Sequence, residues 1–329
     1  MNEFSERVLR KIKEAQEQGF ISLDLSNNQL TTLPESIAYL SSLTWLNLSN
    51  NQLTTLPESI TNLSNLTGLY LSNNQLTTLP ESITNLSNLG ELYLNNNQLE
   101  YLPKSITNLS NLKWLNLSNN QLAHLPEPIT NLFNLRELNL SNNQLITLPK
   151  SIAKLSNLTN LYLTNNRLIN FPESITQLSN LIKLNLSKNQ LINLPASITN
   201  LSKLRELNLS NNQLTNLSTS ITKLSNLKKL NLRINPLAIP PLEIANRGTE
   251  DIIEYFQQLE EQGEDYIYEA KLLIVGEPGS GKTSLAKKIQ NSEYRLIKNE
   301  KSTEGIDVIE YSFPLDNEKN FKVNIWDFG

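Results

Sequence analysis

Eight consecutive residues toward the carboxyl end of the chain have the types and the spacing of a phosphate-binding loop. Residues 276–283 read Gly-Glu-Pro-Gly-Ser-Gly-Lys-Thr and match the pattern G-x-x-x-x-G-K-[ST]. In such a loop, backbone N–H groups surround phosphate oxygens, the lysine contacts the outer phosphates and the final hydroxyl binds Mg²⁺. Lys282 and Thr283 have the side chains for those two roles. The candidate nucleotide-contacting residues of this loop are Gly276, Gly279, Ser280, Gly281, Lys282, Thr283 and Ser284.

The segments on either side of the loop are those that must position it. An apolar run at 272–275 predicts a strand before the loop, and residues 283–290 predict a helix after it. Further strands are predicted over 308–313 and, within residues 321–329, over an apolar run that ends in Asp327. Asp327 ends the last of these apolar runs, where a P-loop enzyme places its second contact to Mg²⁺. The pattern therefore predicts Thr283 and Asp327 as metal-binding residues.

The first three quarters of the chain form an array of repeats. Leucine recurs every 23 residues from Leu23 to Leu230, and asparagine recurs at the same interval from Asn28 to Asn235. The unit reads L-x-x-L-x-L-x-x-N-x-L followed by x-x-L-P-x-x-I-x-x-L-x-x, the leucine-rich-repeat signature. A single unit cannot bury enough apolar surface to fold alone, so neighbouring units must stack. We predict an α/β protein: a horseshoe-shaped solenoid of ten 23-residue repeats, followed by an α/β domain that contains the loop.

The ends of such a stack need covers, and two amphipathic segments fit that need. Residues 4–18 and 249–262 are predicted to form capping helices, the second with Thr249 as its N-cap. We expect the asparagine of each repeat to satisfy buried backbone groups at the turn after the strand. The predicted divisions are a cap helix at 1–19, repeats at 20–240, a capping helix and linker at 241–266, and the nucleotide-binding segment at 267–329.

Composition narrows the class of protein. The chain has no cysteine and a single histidine, so neither a disulfide-clamped repeat protein nor a zinc or thiol site is expected. Its amino-terminal helix has no apolar signal core, and no membrane-length apolar run follows, so we expect a cytoplasmic protein with no membrane contact. The net charge is −4. Lys and Arg are absent between Lys13 and Lys104, whereas residues 104–240 contain fourteen basic and four acidic residues. An acidic half thus balances a basic half, which argues against nucleic acid as a partner.

Four aromatic residues occupy outward positions on four consecutive strands of the predicted stack. Trp45, Tyr70, Tyr93 and Trp114 would lie on strands about 4.8 Å apart and form one exposed patch on the concave face. Such a patch indicates a binding site for a protein partner; the alternative is that these residues reflect strand propensity alone. The residues that precede the buried leucine of each strand are Ser22, Trp45, Gly68, Glu91, Trp114, Glu137, Asn160, Lys183, Glu206 and Lys229.

The combination of these motifs resembles the Roco family, its bacterial members most of all. The resemblance rests on the 23-residue repeats and on the segments "YIYEAKLLIVGEPGSGKTSL", "STEGIDV" and "VNIWDFG". It implies a Ras-like P-loop GTPase domain called Roc, with GTP or GDP and Mg²⁺ as its ligands. It also implies that Thr303 is the switch-one threonine, which senses the γ-phosphate and Mg²⁺, and that Asp327 belongs to the D-x-x-G motif. The residues alone do not distinguish guanine from adenine.

The chain ends at Gly329, before the second glycine of D-x-x-G and before any N/T-K-x-D motif. We therefore expect a chain truncated within the Roc domain that has no useful GTPase activity, with no catalytic residue assigned, although the intact protein would be a GTPase. Asp327-Phe328-Gly329 also spells a kinase motif, but no V-A-I-K or H-R-D motif precedes it. The predicted function is protein recognition by the repeats, coupled to a GTP switch in intracellular signalling. The alternative is a pure protein-binding scaffold with a non-functional GTPase remnant.

Overall fold

The computed structural model describes residues 3–127, 129–262, 269–277, 279–297, 305–314 and 320–328. The chain divides into two compact units, residues 1–261 and residues 262–329. The first contains the repeats and the second contains the glycine-rich loop. Within the described residues, no helix has both the length and the apolar composition that a membrane crossing requires.

The repeats build one sheet of ten parallel strands in sequence order. Each strand pairs with the next at an offset of one repeat, as in Leu23 opposite Leu46. The central leucine of every strand is buried, whereas the residues on either side of it are mostly half-buried or exposed. The predicted ten-repeat solenoid is thereby confirmed. The strands are β1 Ser22–Asp24, β2 Trp45–Asn47, β3 Gly68–Tyr70, β4 Glu91–Tyr93, β5 Trp114–Asn116, β6 Glu137–Asn139, β7 Asn160–Tyr162, β8 Lys183–Asn185, β9 Glu206–Asn208 and β10 Lys229–Asn231.

The return path of each of the first nine repeats is a short 3₁₀ helix. Pro34 shows how it begins, because its extended backbone (φ −62°) places its carbonyl to accept a hydrogen bond from Ile37 N at 3.1 Å. Ile37 is then fully buried and closes the core opposite the strand. The 3₁₀ helices are Glu35–Tyr39, Glu58–Asn62, Glu81–Asn85, Lys104–Asn108, Ile129–Asn131, Lys150–Lys154, Glu173–Gln177, Ala196–Asn200 and Thr219–Lys223.

A ladder of buried asparagines joins each repeat to the previous one. Asn120 is representative: its Nδ2 donates to Leu94 O and Leu117 O, both at 3.0 Å, and its Oδ1 accepts from Leu99 N at 3.0 Å. Two of these three partners belong to the preceding repeat. The amide therefore satisfies backbone groups that the turn removes from water, which is the role that the sequence predicts for it.

One residue of every repeat has a left-handed backbone conformation. This position is asparagine in most repeats, for instance Asn211 at φ 57°, but the last repeat has Ile234 at φ 58°. A β-branched side chain is disfavoured in this region, whereas asparagine tolerates it. Ile234 is also 74% exposed, so its side chain gains little from burial within the repeats.

We expect Ile234→Asn to stabilise the repeat unit by about 1 kcal/mol, because it relieves an unfavourable φ without loss of a buried contact. Urea denaturation followed by circular dichroism measures this as a higher midpoint. The reverse change one repeat earlier, Asn211→Ile, serves as the matched control and should lower the midpoint. A lower midpoint for Ile234→Asn would contradict the assignment of strain.

Helices cover both ends of the stack. Helix α1, Glu3–Gln18, buries Val8 and Ile12 against the first repeat. After a short helix α2, Leu242–Ala245, helix α3, Thr249–Gln262, buries Ile252 and Phe256 at the other end. The expectation for Thr249 needs correction, because its hydroxyl accepts a hydrogen bond from Leu230 N of β10 at 2.7 Å. The side chain thus joins the last strand to the cap.

The second unit is a three-stranded sheet with one helix. Strands β11 Glu269–Ile274, β12 Ile306–Pro314 and β13 Asn320–Phe328 are arranged in the order β11-β13-β12. Strand β13 is parallel to β11 and antiparallel to β12. Helix α4, Lys282–Gln290, contributes the buried Ala286, and the central strand contributes the buried Ile325. The glycine-rich loop connects β11 to α4.

Candidate functional site

The glycine-rich loop lies at the carboxyl end of β11, and its backbone conformation favours glycine at two positions, Gly279 and Gly281. Gly281 is the N-cap of α4 and has a left-handed backbone (φ 86°), which a residue with a β-carbon rarely adopts. At Gly276 a β-carbon would lie 2.9 Å from Ser280 Oγ. The loop thus leads directly into the amino terminus of α4, where the first backbone N–H groups of a helix lack partners within the helix.

Lys282 extends back across the loop. It is only 7% exposed, and its Nζ donates to Gly276 O and Glu277 O, both at 3.0 Å. A buried ammonium group needs such partners. It carries three protons, of which these bonds use two. The third proton can be donated to a ligand oxygen at the mouth of the loop.

Thr283 and Asp327 meet although 44 residues separate them. The Thr283 hydroxyl donates to Asp327 Oδ2 at 2.5 Å, and Asp327 is fully buried. The sheet explains the contact: Asp327 is paired with Ile274, the last residue of β11, so the carboxyl ends of two parallel strands share one edge. A hydroxyl and a carboxylate side by side are hard oxygen donors, the kind of ligand that Mg²⁺ prefers.

The remaining predicted loop residues also lie around this edge. Ser280 N donates to Glu277 O at 3.1 Å, Gly279 has a left-handed backbone (φ 77°), and Ser284 lies in the first turn of α4. Thr303, predicted as a third metal ligand, lies outside the described residues. The carbonyl of Glu277 could not be identified from the sequence as a partner of Lys282, since a backbone acceptor has no signature in residue type.

Three of the four predicted partner-binding aromatics are in direct contact. The rings of Tyr70 and Tyr93 stack with centroids 4.9 Å apart, and Trp45 lies 5.2 Å from Tyr70 at an angle of 48°. Trp114 lies on the neighbouring strand and is paired with Glu91. Among the described residues, Trp114 makes no ring contact with the other three. All four side chains are half-buried.

Gly68 determines how Trp45 lies. A β-carbon at Gly68 would lie 3.0 Å from Trp45 Cδ1 and 3.1 Å from Tyr70 Cε2, so the absence of a side chain lets the indole cover this strand. On the far side of β3 from Trp45, the Tyr70 hydroxyl donates a hydrogen bond to Glu91 Oε2 of β4. Gly68 and Glu91 belong to the outward row that the sequence predicts, but the residue pattern gives no sign of these two roles.

Burial also fixes the protonation state of the tyrosines. Loss of solvent and the hydrogen bond to Glu91 raise the pKa of Tyr70 to about 12. Burial, and then the negative charges of Glu91 and Glu137, raise the pKa of Tyr93 as well. Both hydroxyls therefore remain protonated at neutral pH, and Tyr70 keeps donating to the Glu91 carboxylate.

Sequence families match both units. Models described as leucine-rich repeats match 18–53, 41–86, 64–122 and 87–145, and one described as a leucine-rich repeat region matches 119–261. The model described as "Ras of Complex, Roc, domain of DAPkinase" matches residues 271–329. Repeats followed by a Roc segment are the Roco-like arrangement that the sequence predicts.

Individual relatives agree with this division. A "Roc-COR-CHAT protease" from an unknown prokaryotic organism is 31% identical over 109 residues, which is 29% of this chain and 10% of the relative; the chain therefore spans about a tenth of that protein. A solved leucine-rich-repeat protein of Leptospira interrogans is 37% identical, covering 68% of this chain and 69% of that chain at a TM-score of 0.52. The functional domain of InlJ from Listeria monocytogenes is 28% identical, covering 68% of this chain and 46% of that chain at a TM-score of 0.59.

Proposed function

The chain belongs to the leucine-rich-repeat proteins, and we propose that its repeats recognise a protein partner while its Roc segment binds a guanine nucleotide with Mg²⁺. The proposal that the chain binds a nucleotide rests on one observation above all. The Thr283 hydroxyl donates a hydrogen bond to Asp327, and the next residue, Lys282, holds a buried ammonium in the loop. This bond and the Lys282 ammonium support the proposal, because a cation and two hard oxygen donors come from the glycine-rich loop and the adjoining end of β13.

The loop supplies what a polyphosphate requires. The amino terminus of α4 and the Lys282 ammonium both belong to this loop, and both carry positive charge that favours a phosphate. The cation is pre-positioned by two carbonyls, so little side-chain entropy is lost when phosphate binds. Selectivity for guanine is inferred from the Roc match, since residues 271–329 contain no N/T-K-x-D base-reading motif.

The proposed binding of Mg²⁺ rests on the Thr283 hydroxyl and the Asp327 carboxylate. Thr283 Oγ1 and the Asp327 carboxylate are the groups that would hold Mg²⁺, which when bound neutralises charge on the phosphates. The buried aspartate tolerates its charge because the threonine hydroxyl donates to it. Thr303 remains the proposed third ligand on the basis of the family resemblance alone.

The partner part rests on the strand face, by which we mean the outward first and third residues of β1–β10. Stacked tyrosines beside a tryptophan form a rigid aromatic surface there, which is typical of the residues that dominate protein interfaces. Helix α3 connects this unit to the Roc segment within one polypeptide. We propose that partner binding and nucleotide state are linked, so that each ligand changes the affinity for the other in intracellular signalling.

A second function, that of a protein-binding scaffold alone, has one observation in its favour. Several apolar side chains of the second unit are exposed, among them Val275 at 75% and Leu296 at 83%. Such exposure is unusual for a folded nucleotide-binding domain and lowers its stability. The two functions differ in whether the loop binds nucleotide at all.

We expect the 329-residue chain to bind GTP and GDP weakly, with a dissociation constant of about 10 µM or higher, and to hydrolyse no GTP at a useful rate. Lys282 and the start of α4 offer contacts to phosphate, whereas residues 271–329 contain no N/T-K-x-D motif to read the base. Titration of fluorescent GTP, with and without Mg²⁺ and with ATP as competitor, measures this. Absence of any binding would favour the scaffold, and tight guanine-selective binding would show that these residues read the base.

A further inference from the structure

We propose that Glu91 binds the guanidinium group of an arginine in a protein partner, between the indoles of Trp45 and Trp114. The inference deepens the proposed role of the strand face and rests on it. It identifies the chemistry of the partner: a segment with an exposed arginine, presented to the second through fifth strands.

The carboxylates of the strand face are not equivalent. Glu206 is paired with two lysines, since Lys183 Nζ and Lys229 Nζ lie 3.5 and 3.6 Å from its Oε1. Glu137 accepts a hydrogen bond from Asn160 Nδ2 at 3.0 Å. Glu91 accepts a hydrogen bond from the neutral Tyr70 hydroxyl, and among the described residues it makes no ion pair. The chain thus supplies cations to one of these carboxylates and none to Glu91.

The surroundings of Glu91 form an open cavity with aromatic walls. Its volume is about 630 Å³, and its lining includes Trp45, Gly68, Gly90, Glu91 and Trp114. Gly68 lies in β3 and Gly90 directly precedes β4, and neither contributes a side chain to the cavity. The two tryptophans are three strands apart, about 14 Å along the sheet. A long side chain can therefore enter from solvent and reach the carboxylate.

The chemistry favours arginine over other cations. A guanidinium is planar, donates to a carboxylate from two nitrogens and stacks on aromatic rings. The Tyr70 hydroxyl uses one lone pair of Glu91 Oε2. The other lone pairs of the carboxylate, including those of Oε1, can accept hydrogen bonds from a guanidinium. The indoles partly exclude water from the pair of guanidinium and Glu91 carboxylate, so this pair is stronger than a fully exposed ion pair.

The charge of the neighbourhood agrees with this assignment. Lys and Arg are absent from 14–103, a stretch that includes Asp24, Glu35, Glu58, Glu81 and Glu91. Lys113 also lines the cavity, but its side chain is exposed and makes no ion pair with Glu91 among the described residues. A basic partner segment would therefore meet a mainly acidic half of the repeats.

The test uses the full chain and three short peptides that differ at one central residue: arginine, its neutral isostere citrulline, or lysine. The chain has three tryptophans, so their indole N–H resonances report binding, with Trp326 in the Roc segment as an internal reference. We expect the arginine peptide to shift the Trp45 and Trp114 resonances and to bind about tenfold more tightly than the citrulline peptide. The affinity of the lysine peptide should lie between those of the arginine and citrulline peptides.

Glu91→Gln should lower the affinity for the arginine peptide about tenfold and leave the affinity for the citrulline peptide unchanged. The control, Glu206→Gln, should change neither affinity by more than about twofold. Circular dichroism spectra and urea midpoints that match those of the wild-type chain verify that the free variants fold. Equal binding of arginine and citrulline, equal effects of the two substitutions, or no shift with the arginine peptide would overturn the proposal. If the citrulline peptide shifts Trp45 and Trp114 as strongly as arginine does, the strand face still binds peptides and only the arginine assignment fails.

Discussion

Replacing Asn120 by alanine is expected to destabilise the repeat unit by about 3 kcal/mol. The substitution leaves Leu94 O, Leu117 O and Leu99 N without the amide that satisfies them, in a turn where only 8% of the asparagine is exposed. Each unsatisfied buried backbone group costs roughly 1–3 kcal/mol, and a water that enters the gap recovers part of it. Urea denaturation of both proteins gives the difference in the free energy of unfolding.

Asn111→Ala is the matched control for this prediction, because it removes the same side chain from an exposed bond to Ser87 O at 2.8 Å. Its expected cost is below about 1 kcal/mol. Equal losses for the two variants would mean that the buried ladder is no more important than the surface bonds. Because repeats depend on their neighbours, the loss at Asn120 should also broaden the unfolding transition.

Replacing Lys282 by alanine is expected to weaken GTP binding about a hundredfold. The ammonium is the charged side chain held at the mouth of the loop, and hydrogen bonds from a charged donor to phosphate contribute roughly 1.5–3 kcal/mol. Competition of unlabelled GTP against a fluorescent analogue measures the loss. Lys282→Met retains the buried volume without the charge, so it should behave as the alanine variant does.

Lys288→Ala supplies the control within the same helix. Its ammonium bonds to Ser292 O and to Tyr294 O, at the far end of α4 from the loop. The net charge of the chain changes by the same amount, but we expect GTP affinity to change by less than about twofold. A similar loss in both lysine variants would show that general electrostatic attraction, and not the loop, binds the nucleotide.

The repeat fold follows from the sequence because each position serves one purpose in every copy. Leu46 is buried and its neighbours Trp45 and Asn47 face outward, as the alternation in the sequence predicts. The ladder asparagines were predictable for the same reason. Thr249 was interpreted wrongly because its hydrogen-bond partner, Leu230 N, is 19 residues away and only the fold brings them together.

At the candidate site, too, some features follow from the sequence and others depend on the fold. The loop pattern predicts which residues surround a phosphate, and the parallel pairing of β11 with β13 explains why Thr283 reaches Asp327. The aromatic row is visible in the sequence, but side-chain rotation is not. Trp45 lies toward Tyr70 across Gly68, whereas Trp114 lies apart from both tyrosines, and no spacing rule distinguishes the two tryptophans.

The most direct measurement of the central claim is the ³¹P NMR spectrum of GTP with Mg²⁺ in the presence of the chain. If the loop at 276–283 binds the phosphates, the β- and γ-phosphate resonances shift or broaden on addition of the wild-type chain. An equal concentration of Lys282→Ala should leave them almost unchanged. Resonances that do not respond to the wild-type chain, or that respond equally to both proteins, would contradict a nucleotide site at this loop.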